Sequence, residues 1–224
     1  MNSLKFNVLK RVNWPNRIAE LLVVFLGVSA GFILQNQKDH FNNKDLKSKY
    51  ILGLVNDVET NIEILEKNTN EDSIWLQRNN YAVYQILDNT LAYDSACALM
   101  LSMTNFSELS TQADTYEDII SSGNLNLFTD FELRKSVITY HKSLNDYSIL
   151  DEYFKGFITT QFMPYIIKEF SLFRVEFANP QTFNSLEFQN SFGTYYSLVQ
   201  QRLKAQKTLL EESLSFKRLL DSKQ

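Results

Sequence analysis

This chain is poor in the residues that build disulfides, metal sites and turns. Its 224 residues include one cysteine, two histidines, six glycines and three prolines. A single cysteine cannot form an intrachain disulfide, so stability must come from packing or from partners. It also cannot build a thiolate metal site, and the two histidines do not have zinc-ligand spacing. The scarcity of glycine and proline leaves few turn signals, which predicts long helices.

The histidines and the cysteine also lack the neighbours that catalytic or metal-binding roles require. Gln37 and Ile138 stand three positions before His40 and His141, so the Glu-x-x-His pattern of di-iron bundles is absent. Cys97 lies among apolar residues, which predicts a small core residue. The sequence contains no glycine-rich phosphate loop and no dinucleotide fingerprint. We therefore expect a protein that is not an enzyme, with no catalytic residue, no cofactor and no metal.

The charge distribution argues against a nucleic-acid partner. The chain carries a net charge of −4; residues 1–17 contribute four basic residues and no acid, so the remainder carries −8 from 18 basic and 26 acidic residues. Proteins that bind nucleic acid through charge present a basic patch or stripe. We therefore expect no nucleic-acid partner. The aromatic content of 13% supplies apolar side chains for one core.

One stretch is long and apolar enough to meet a bilayer. It covers residues 18–34, IAELLVVFLGVSAGFIL, and its only charged residue is Glu20. A helix of this length at ~1.5 Å per residue spans about 26 Å, against a hydrocarbon core of about 30 Å. Trp14 and the polar residues 35–37 can extend the helix into the headgroups. The stretch predicts a transmembrane helix, preceded by a short basic tail at residues 1–17.

Two other interpretations of this stretch remain open. The basic tail, the apolar run and Val28-Ser29-Ala30 together resemble a signal peptide with a small-residue cleavage site, although the run continues to Leu34. A buried core helix of a soluble protein is the other. The basic residues are nearly equal in number on the two sides, and a short basic N-terminus ordinarily stays inside. We predict a single-pass inner-membrane protein with a cytoplasmic N-terminus and a periplasmic C-terminal domain.

Small residues mark one face of the predicted membrane helix. Gly27 and Gly31 lie four residues apart with Ala30 beside them, a pattern that lets two helices approach closely in lipid. We expect a homodimer or a contact with another membrane subunit on this face. Glu20 is either an interfacial acid or the partner of a basic residue on such a subunit. The same segment spells G-x-S-x-G around Ser29, but that nucleophile motif needs a strand-to-helix turn, so we reject it.

Downstream of the anchor, apolar spacing predicts an all-α fold. No glycine or proline interrupts residues 35–50, so we expect a stalk helix over residues 35–67 that is continuous with the membrane helix. The polar residues 68–72 predict a turn, and residues 68–224 a helical bundle domain. One apolar stripe of the stalk has the spacing of a helix face: Leu46, Tyr50, Leu54, Val58, Ile62 and Leu65.

Capping signals and periodicity place the remaining helices. Asp94 can cap a helix, Gly123 stands where a C′ glycine ends one, and Thr129 with Glu132 fits a capping box. Pro164 kinks or ends the helix that follows the capping box. Residues 172–177 alternate like a short strand without an evident partner. We expect helices over about residues 73–89, 94–103, 112–122 and 192–220, with one more from the capping box to Phe162. The expected apolar positions in the first and last of these are Trp75, Tyr81, Tyr84 and Leu87, and Tyr195, Val199, Leu203, Leu210 and Leu214.

Two stretches carry a resemblance to a known family. Residues 20–61 begin ELLVVFLGVSAGFILQNQ, and residues 116–141 contain SGNLNLF before a helix. The chain resembles an uncharacterised family of single-pass membrane proteins from Bacteroidota, classed as a domain of unknown function. Leu34-Gln35-Asn36-Gln37 keeps part of that family's Leu-Gln-Ile-Asn-Asn-Trp-Asn-like segment, with Phe41 near the place of its tryptophan. The resemblance implies an envelope protein with one span, and it brings no catalytic residues.

The functional expectation is a membrane-anchored, non-catalytic envelope protein that acts through protein–protein interaction, as a scaffold or a subunit of a membrane complex. The lipid bilayer is its first partner, and any small-molecule ligand is unknown. The alternative is an extracytoplasmic ligand-binding or sensor domain. Such a sensor must signal through a partner subunit, because residues 1–17 are too few for an output domain. Hydrolase activity is considered only because of Ser29, and a serine-reactive probe would test it.

Overall fold

The computed structural model describes residues 14–106 and 110–223, so most of the predicted basic tail lies outside the described residues. Within these ranges the regular structure is almost entirely helical, which confirms the all-α fold class. The main elements are α1 (Trp14–Leu87), α2 (Tyr93–Met103), α3 (Asp114–Ser121), α4 (Phe131–Phe157), α5 (Met163–Glu169), the strands β1 (Phe170–Ser171) and β2 (Glu176–Phe177), and α6 (Leu186–Asp221).

The chain divides into two units, Met1–Lys47 and Ser48–Gln224, and α1 contributes to both. In the first unit the apolar stretch of α1 is uncovered: Leu21, Leu26 and Leu34 are 71%, 64% and 67% exposed. The helix is long and apolar enough near the N-terminus to cross a membrane, and none of its apolar window is buried. The core helix of a soluble protein would be mostly buried. Among the described residues no surface covers this stretch, as a buried core helix would require.

The helix α1 continues without a break through the region where the sequence predicted a turn. Residues 68–72 are helical, and the helix ends at Leu87 rather than near residue 67. Asn68 and Asp72 are 4% and 6% exposed, so they face the core instead of solvent. The predicted separate helix over residues 73–89 is the last part of α1. Of its expected apolar positions, Tyr81, Tyr84 and Leu87 are exposed.

The second unit is built around three long helices, α1, α4 and α6. Their buried positions repeat in the pattern of a coiled coil. Buried residues alternate at spacings of three and four along each helix, which is the heptad seam of helices that pack side by side. The seams are Ile51, Leu54, Val58, Asn61, Leu65, Asn68 and Asp72 on α1; Leu133, Val137, Tyr140, Leu144, Tyr147, Asp151 and Phe154 on α4; and Phe188, Phe192, Tyr195, Val199, Arg202, Gln206, Leu209, Ser213, Phe216 and Leu220 on α6.

Contacts between the seams give the directions of the three helices. Asn61 on α1 contacts Tyr140 on α4, and Asp72 lies 11 residues later in the layer of Asp151, so α1 and α4 run in parallel. Along α6, in contrast, Arg202 pairs with Asp72 while Lys217 pairs with Glu59, so α6 runs antiparallel to α1. The Leu186 end of α6 therefore lies beside the Leu87 end of α1.

The shorter elements agree in part with the sequence signals. Gly123 follows α3 with φ +72°, as expected of a C′ glycine. The N-cap of α4 is Asp130 rather than Thr129, because the Asp130 carboxylate accepts bonds from the backbone N–H groups of Glu132 and Leu133. Asp94 lies inside the first turn of α2 and does not cap it.

The chain beyond α4 differs from the expected single long helix. The α-helix ends at Phe157 and a π-helical turn covers Ile158–Phe162. Pro164 then falls at the start of α5, where a missing backbone N–H is tolerated. The predicted strand over residues 172–177 is wrong in extent. Only Glu176–Phe177 is extended, and its partner is the adjacent pair Phe170–Ser171 in a small hairpin.

Candidate functional site

The predicted membrane-packing face lies on α1 in the first unit. Gly27, Ala30 and Gly31 are exposed, and a Cβ atom added at either glycine would meet nothing within 4 Å. No described residue covers this face, so it stays open to a second helix. Glu20 is also exposed, near the N-terminal end of the apolar stretch. A partner for these four residues stays a prediction.

A buried charged centre, which the sequence analysis missed, lies in the middle of the second unit. Arg202 on α6 is 2% exposed and forms a bidentate pair with Asp72 on α1, with 2.8 Å between Nε and Oδ2. Its Nη1 lies 3.8 Å from Oδ1 of Asp151 on α4. One guanidinium therefore contacts carboxylates from both neighbouring helices. Such a contact is satisfied in only one alignment of the three helices.

The surroundings of Arg202 keep its side chain charged and covered. Burial lowers the pKa of Arg202, but the hydrogen bonds and charge of Asp72 outweigh this effect, so the pKa lies above its ordinary value. The Arg202 guanidinium carbon lies 4.4 Å from the ring centroid of Phe154, within cation–π range. Lys155 pairs with Asp151 at 3.1 Å. This arrangement selects the facing residues of the three helices.

Polar residues also occupy core positions in other layers of the bundle. Gln206 Nε2 donates to the Tyr147 hydroxyl at 3.2 Å. The Tyr140 and Ser213 hydroxyls lie 3.1 Å apart in another layer. Burial raises the pKa of both Tyr140 and Tyr147, although each hydroxyl has a hydrogen-bond partner that opposes the shift. The hydroxyls therefore stay protonated at neutral pH.

Asn61 joins the segment before α3 to α1. Its amide Nδ2 donates to the Gln112 carbonyl at 2.8 Å, and its Oδ1 accepts from the Gln112 N–H at 2.7 Å. The same Nδ2 lies 3.2 Å from the Tyr140 hydroxyl. Asp57 accepts a further bond from the Thr115 backbone N–H at 3.0 Å. These bonds pin α3 to α1 and explain why a polar residue holds a fully buried position.

His141 and Cys97, whose side chains are of types often used in catalysis, pack against other side chains here. His141 stacks on Tyr116 with 3.8 Å between ring centroids, and burial lowers its pKa despite the opposing charge of Glu117. Cys97 is 4% exposed in the core, as predicted, and burial raises the pKa of its thiol. Among the described residues, no group of three or more His, Cys, Asp or Glu side chains could hold a metal ion.

An open groove of 680 Å³ runs between α4 and α6. Its walls carry hydroxyl groups such as those of Ser136, Thr139, Thr208 and Ser215, and acidic side chains from both helices. Neither a histidine nor a cysteine lines it. Substitutions in this groove can test whether the bundle is a ligand-binding or sensor domain.

Sequence periodicity did contain a signal for the charged centre. Arg202 and Gln206 fall on the three-and-four spacing that starts at Phe188, whereas the expected stripe continued through Leu203 and Leu210. Those two leucines are only half-buried, and Leu214 is 41% exposed. A heptad register that allows polar residues at core positions places Arg202 in the core.

No protein-family model, curated protein or solved structure matches this chain. The resemblance to a Bacteroidota membrane family therefore stays a prediction, as does the ligand-binding alternative.

Proposed function

We propose that this chain is a non-catalytic protein of the cell envelope that is anchored in the inner membrane and acts through protein–protein interaction. In this proposal residues 18–34 span the bilayer, the N-terminus is cytoplasmic and the bundle is periplasmic. Membership of the single-pass Bacteroidota family is part of the same proposal. The partner is a second copy of the chain or another membrane subunit.

The observation that carries the proposal is the uncovered apolar stretch of α1. Ten large apolar side chains between Leu21 and Leu34 are each more than half exposed. Leaving apolar surface in water costs about 25 cal/mol per Å², whereas a bilayer removes this cost. All backbone groups of a helix are satisfied internally, so the segment is compatible with lipid. The charged residues and polar surface begin on either side of it.

Two features support interaction as the role of the protein. Gly27 and Gly31 leave an open face on which a second helix can approach closely. In the bundle, by contrast, Arg202 and Cys97 are buried in the core and His141 stacks on Tyr116. These three side chains therefore support the fold, and the open glycine face is an accessible surface for a partner.

Fractionation of the full chain tests the anchor. Membranes are collected by high-speed centrifugation without detergent and washed at alkaline pH, and the mass of the bound product is measured. We expect the protein in the washed membrane fraction with residues 18–34 retained. A soluble product of full mass contradicts the anchor. A product that begins after Ala30 identifies the segment as a cleaved signal peptide instead.

Cysteine labelling tests the orientation. Lys207 is exposed on α6, so a Lys207→Cys variant in a Cys97→Ala background presents one accessible thiol on the bundle. In spheroplasts, a membrane-impermeant maleimide should label this thiol as fully as it does after lysis. Labelling only after lysis would place the bundle in the cytoplasm. Wild-type protein, whose Cys97 is buried, serves as the unlabelled control.

Association in the bilayer tests the packing face. The double variant Gly27→Leu with Gly31→Leu should weaken self-association or partner retention by about tenfold, because two leucines separate the helix backbones. Ser29→Leu adds a leucine on the opposite side of the helix and serves as the matched control. Equal association of both variants, measured by energy transfer in vesicles, would remove this face from the proposal.

A further inference from the structure

The hairpin after α5 projects an apolar tip from the bundle. We use the name apolar tip for Ile167, Leu172, Phe173 and Val175. Phe173 is 103% exposed and Ile167 83% exposed, while Leu172 and Val175 are 47% and 38% exposed. No other described side chain covers the Phe173 ring. An aromatic residue of this size ordinarily buries about 150–250 Å² when it has a partner.

The apolar tip is held rigidly by the core beneath it. Phe170 and Phe177, the paired strand residues, are both buried and their ring centroids lie 5.2 Å apart. The Phe177 N–H donates to the Tyr93 hydroxyl at 3.1 Å. The turn itself is closed by a 2.8 Å bond from the Val175 N–H to the Ser171 carbonyl. Phe173 is therefore presented by a fixed turn.

The backbone at Val175 is strained. Its φ is +56°, a left-handed conformation that β-branched residues rarely adopt. Local strain of this kind persists where the surrounding structure determines it, and it often accompanies function. Here the strained residue closes the turn that points Leu172 and Phe173 outward. The conformation therefore maintains an exposure that is unfavourable in water.

Two basic residues flank the apolar tip, and each is more exposed than its acidic partner. Lys168 pairs with Glu169 at 2.9 Å, with side chains 73% and 17% exposed. Arg174 lies 3.5 Å from Glu176, with side chains 79% and 48% exposed. In each of these two pairs the more exposed charge is therefore the cation. Apolar side chains with cationic neighbours are the composition of surfaces that bind at lipid headgroups.

The apolar tip lies at the end of the bundle opposite Ser48, where the chain enters this unit. The antiparallel pairing of α6 with α1 brings the Leu186 end of α6 to the Leu87 end of α1, and only a short 3-10 helix, Pro180–Asn184, separates the hairpin from α6. Leu87 and Leu186 are themselves 73% and 69% exposed. The apolar tip is thus accompanied by two further exposed leucines at this end of the bundle.

From these observations we propose that the apolar tip is a second membrane-contact surface, at which Phe173 and Leu172 enter the boundary between headgroups and acyl chains while Lys168 and Arg174 contact lipid phosphates. A lipid surface fits better than a protein cleft for two reasons. The tip is a turn that projects the Phe173 ring rather than a flat face, and the N–H groups of Arg174 and Val175 are already bonded to Ser171, which lowers the cost of moving these two groups out of water. This inference goes beyond the anchor and does not depend on it.

The experiment uses the full chain held in lipid nanodiscs, to which separate vesicles are added. The vesicles contain about 70% phosphatidylcholine and 30% phosphatidylglycerol, because anionic headgroups attract the flanking cations. Phe173→Trp reports insertion through quenching by brominated lipids that are present only in the vesicles. Ile149→Trp is the matched control, since Ile149 is 59% exposed on the outside of α4, away from the tip.

We expect brominated vesicles to quench the added fluorescence of the Phe173→Trp protein by about half and to leave the Ile149→Trp protein unchanged, because only the tip reaches about 5–10 Å into the boundary. The double variant Leu172→Ser with Phe173→Ser should bind the vesicles about tenfold more weakly, and Ile149→Ser should bind as wild type. These residues lie outside the core, so the fold is retained.

Three outcomes would overturn the inference. No quenching at position 173 and no vesicle binding would point to a protein partner for the tip. Equal vesicle binding by the double serine variant would assign the contact to another surface. Equal quenching at positions 149 and 173 would indicate non-specific adsorption. Failure of the chain to enter the nanodisc is a separate result, which contradicts the anchor and not the tip.

Discussion

The apolar stretch of α1 in the first unit and the bundle in the second unit place their side chains in opposite ways. Between Leu21 and Leu34 the helix exposes leucine, valine and phenylalanine on all sides. In the bundle, seven polar or charged residues are buried: Asn61, Asn68, Asp72, Asp151, Arg202, Gln206 and Ser213. The apolar stretch of the first unit therefore has an apolar exterior, and the second unit has a partly polar interior.

This difference teaches that the two units depend on different surroundings for their stability. An apolar helix needs no partner side chains in lipid, and its only requirement is that the surroundings stay apolar. A polar core needs partners for each buried group, because an unpaired charge or amide in a protein interior is costly. A charged side chain placed in the apolar stretch should therefore be costly, whereas apolar side chains that replace the whole charged centre of the bundle should be tolerated.

The largest effect is expected from removing the bidentate partner of Arg202. Asp72→Ala removes the carboxylate that accepts two bonds from Arg202, and we expect it to lower the free energy of unfolding by about 3–5 kcal/mol. Chemical denaturation of the detergent-solubilised chain measures this loss. Glu66→Ala, at an exposed position of α1, is the control and should change stability by less than about 0.5 kcal/mol.

A triple apolar variant sharpens the same test. Asp72→Leu, Asp151→Leu and Arg202→Met together replace the charged centre with apolar side chains, and we expect stability within a few kcal/mol of wild type or above it. If this variant is as unstable as Asp72→Ala, the cost comes from altered packing and not from the loss of the bidentate partner of a buried charge.

The next effect tests the apolar exterior. Leu26 is 64% exposed near the middle of the apolar stretch, so Leu26→Lys would be harmless in water. In a bilayer we expect it to cost about 2.5–3.5 kcal/mol and to move protein from the membrane to the soluble fraction. Leu26→Ile is the control. Unchanged membrane partitioning of the lysine variant would show that this helix is not surrounded by lipid.

A smaller loss is expected at Asn61, where one amide satisfies both backbone groups of Gln112. Asn61→Ala leaves the Gln112 N–H and carbonyl without these bonds, and we expect a cost of about 1–3 kcal/mol. Hydrogen exchange should be faster at Gln112 and along α3 than at α6. Asn56→Ala, at an exposed position on α1, should leave exchange unchanged. Uniform acceleration across the bundle would indicate global destabilisation instead.

The smallest effects come from two glycines in helices. A Cβ atom at Gly53 would lie 2.8 Å from the Thr115 hydroxyl oxygen, so Gly53→Ala should destabilise by about 1–2 kcal/mol by pushing α3 away from α1. A Cβ atom at Gly156 would meet nothing within 4 Å, so Gly156→Ala should stabilise α4 by about 0.5–1 kcal/mol. Thermal unfolding measures both, and shifts of the same sign would contradict the close packing of α3.

A helix long and apolar enough to cross a membrane, the all-α class and much of the α4 seam could be predicted from the sequence. Leu133, Val137, Tyr140 and Leu144 repeat at helical spacing and are all buried. Cys97 is also buried in an apolar context, as expected. In these segments hydrophobicity alone separates the covered face from the exposed face, so a local pattern is sufficient.

The charged centre could not be predicted by the same reasoning. Asn68 and Asp72 suggested a turn because polar residues usually face solvent, and nothing in their own segment indicates a partner. The partner Arg202 lies 130 residues away and became evident only when α6 was placed beside α1. The hairpin pairing of Phe170 with Phe177 was missed because two-residue strands are too short to show a period.

The position of Arg202 in the last helix has a consequence for synthesis on the ribosome. Asp72 is made 130 residues before the guanidinium that neutralises it, and α6 also supplies Gln206 and Ser213 to the interior. A nascent chain that lacks α6 cannot close these layers, so the bundle completes only after α6 has left the ribosome. Products that stop before residue 202 should consequently be degraded faster than products that include α6.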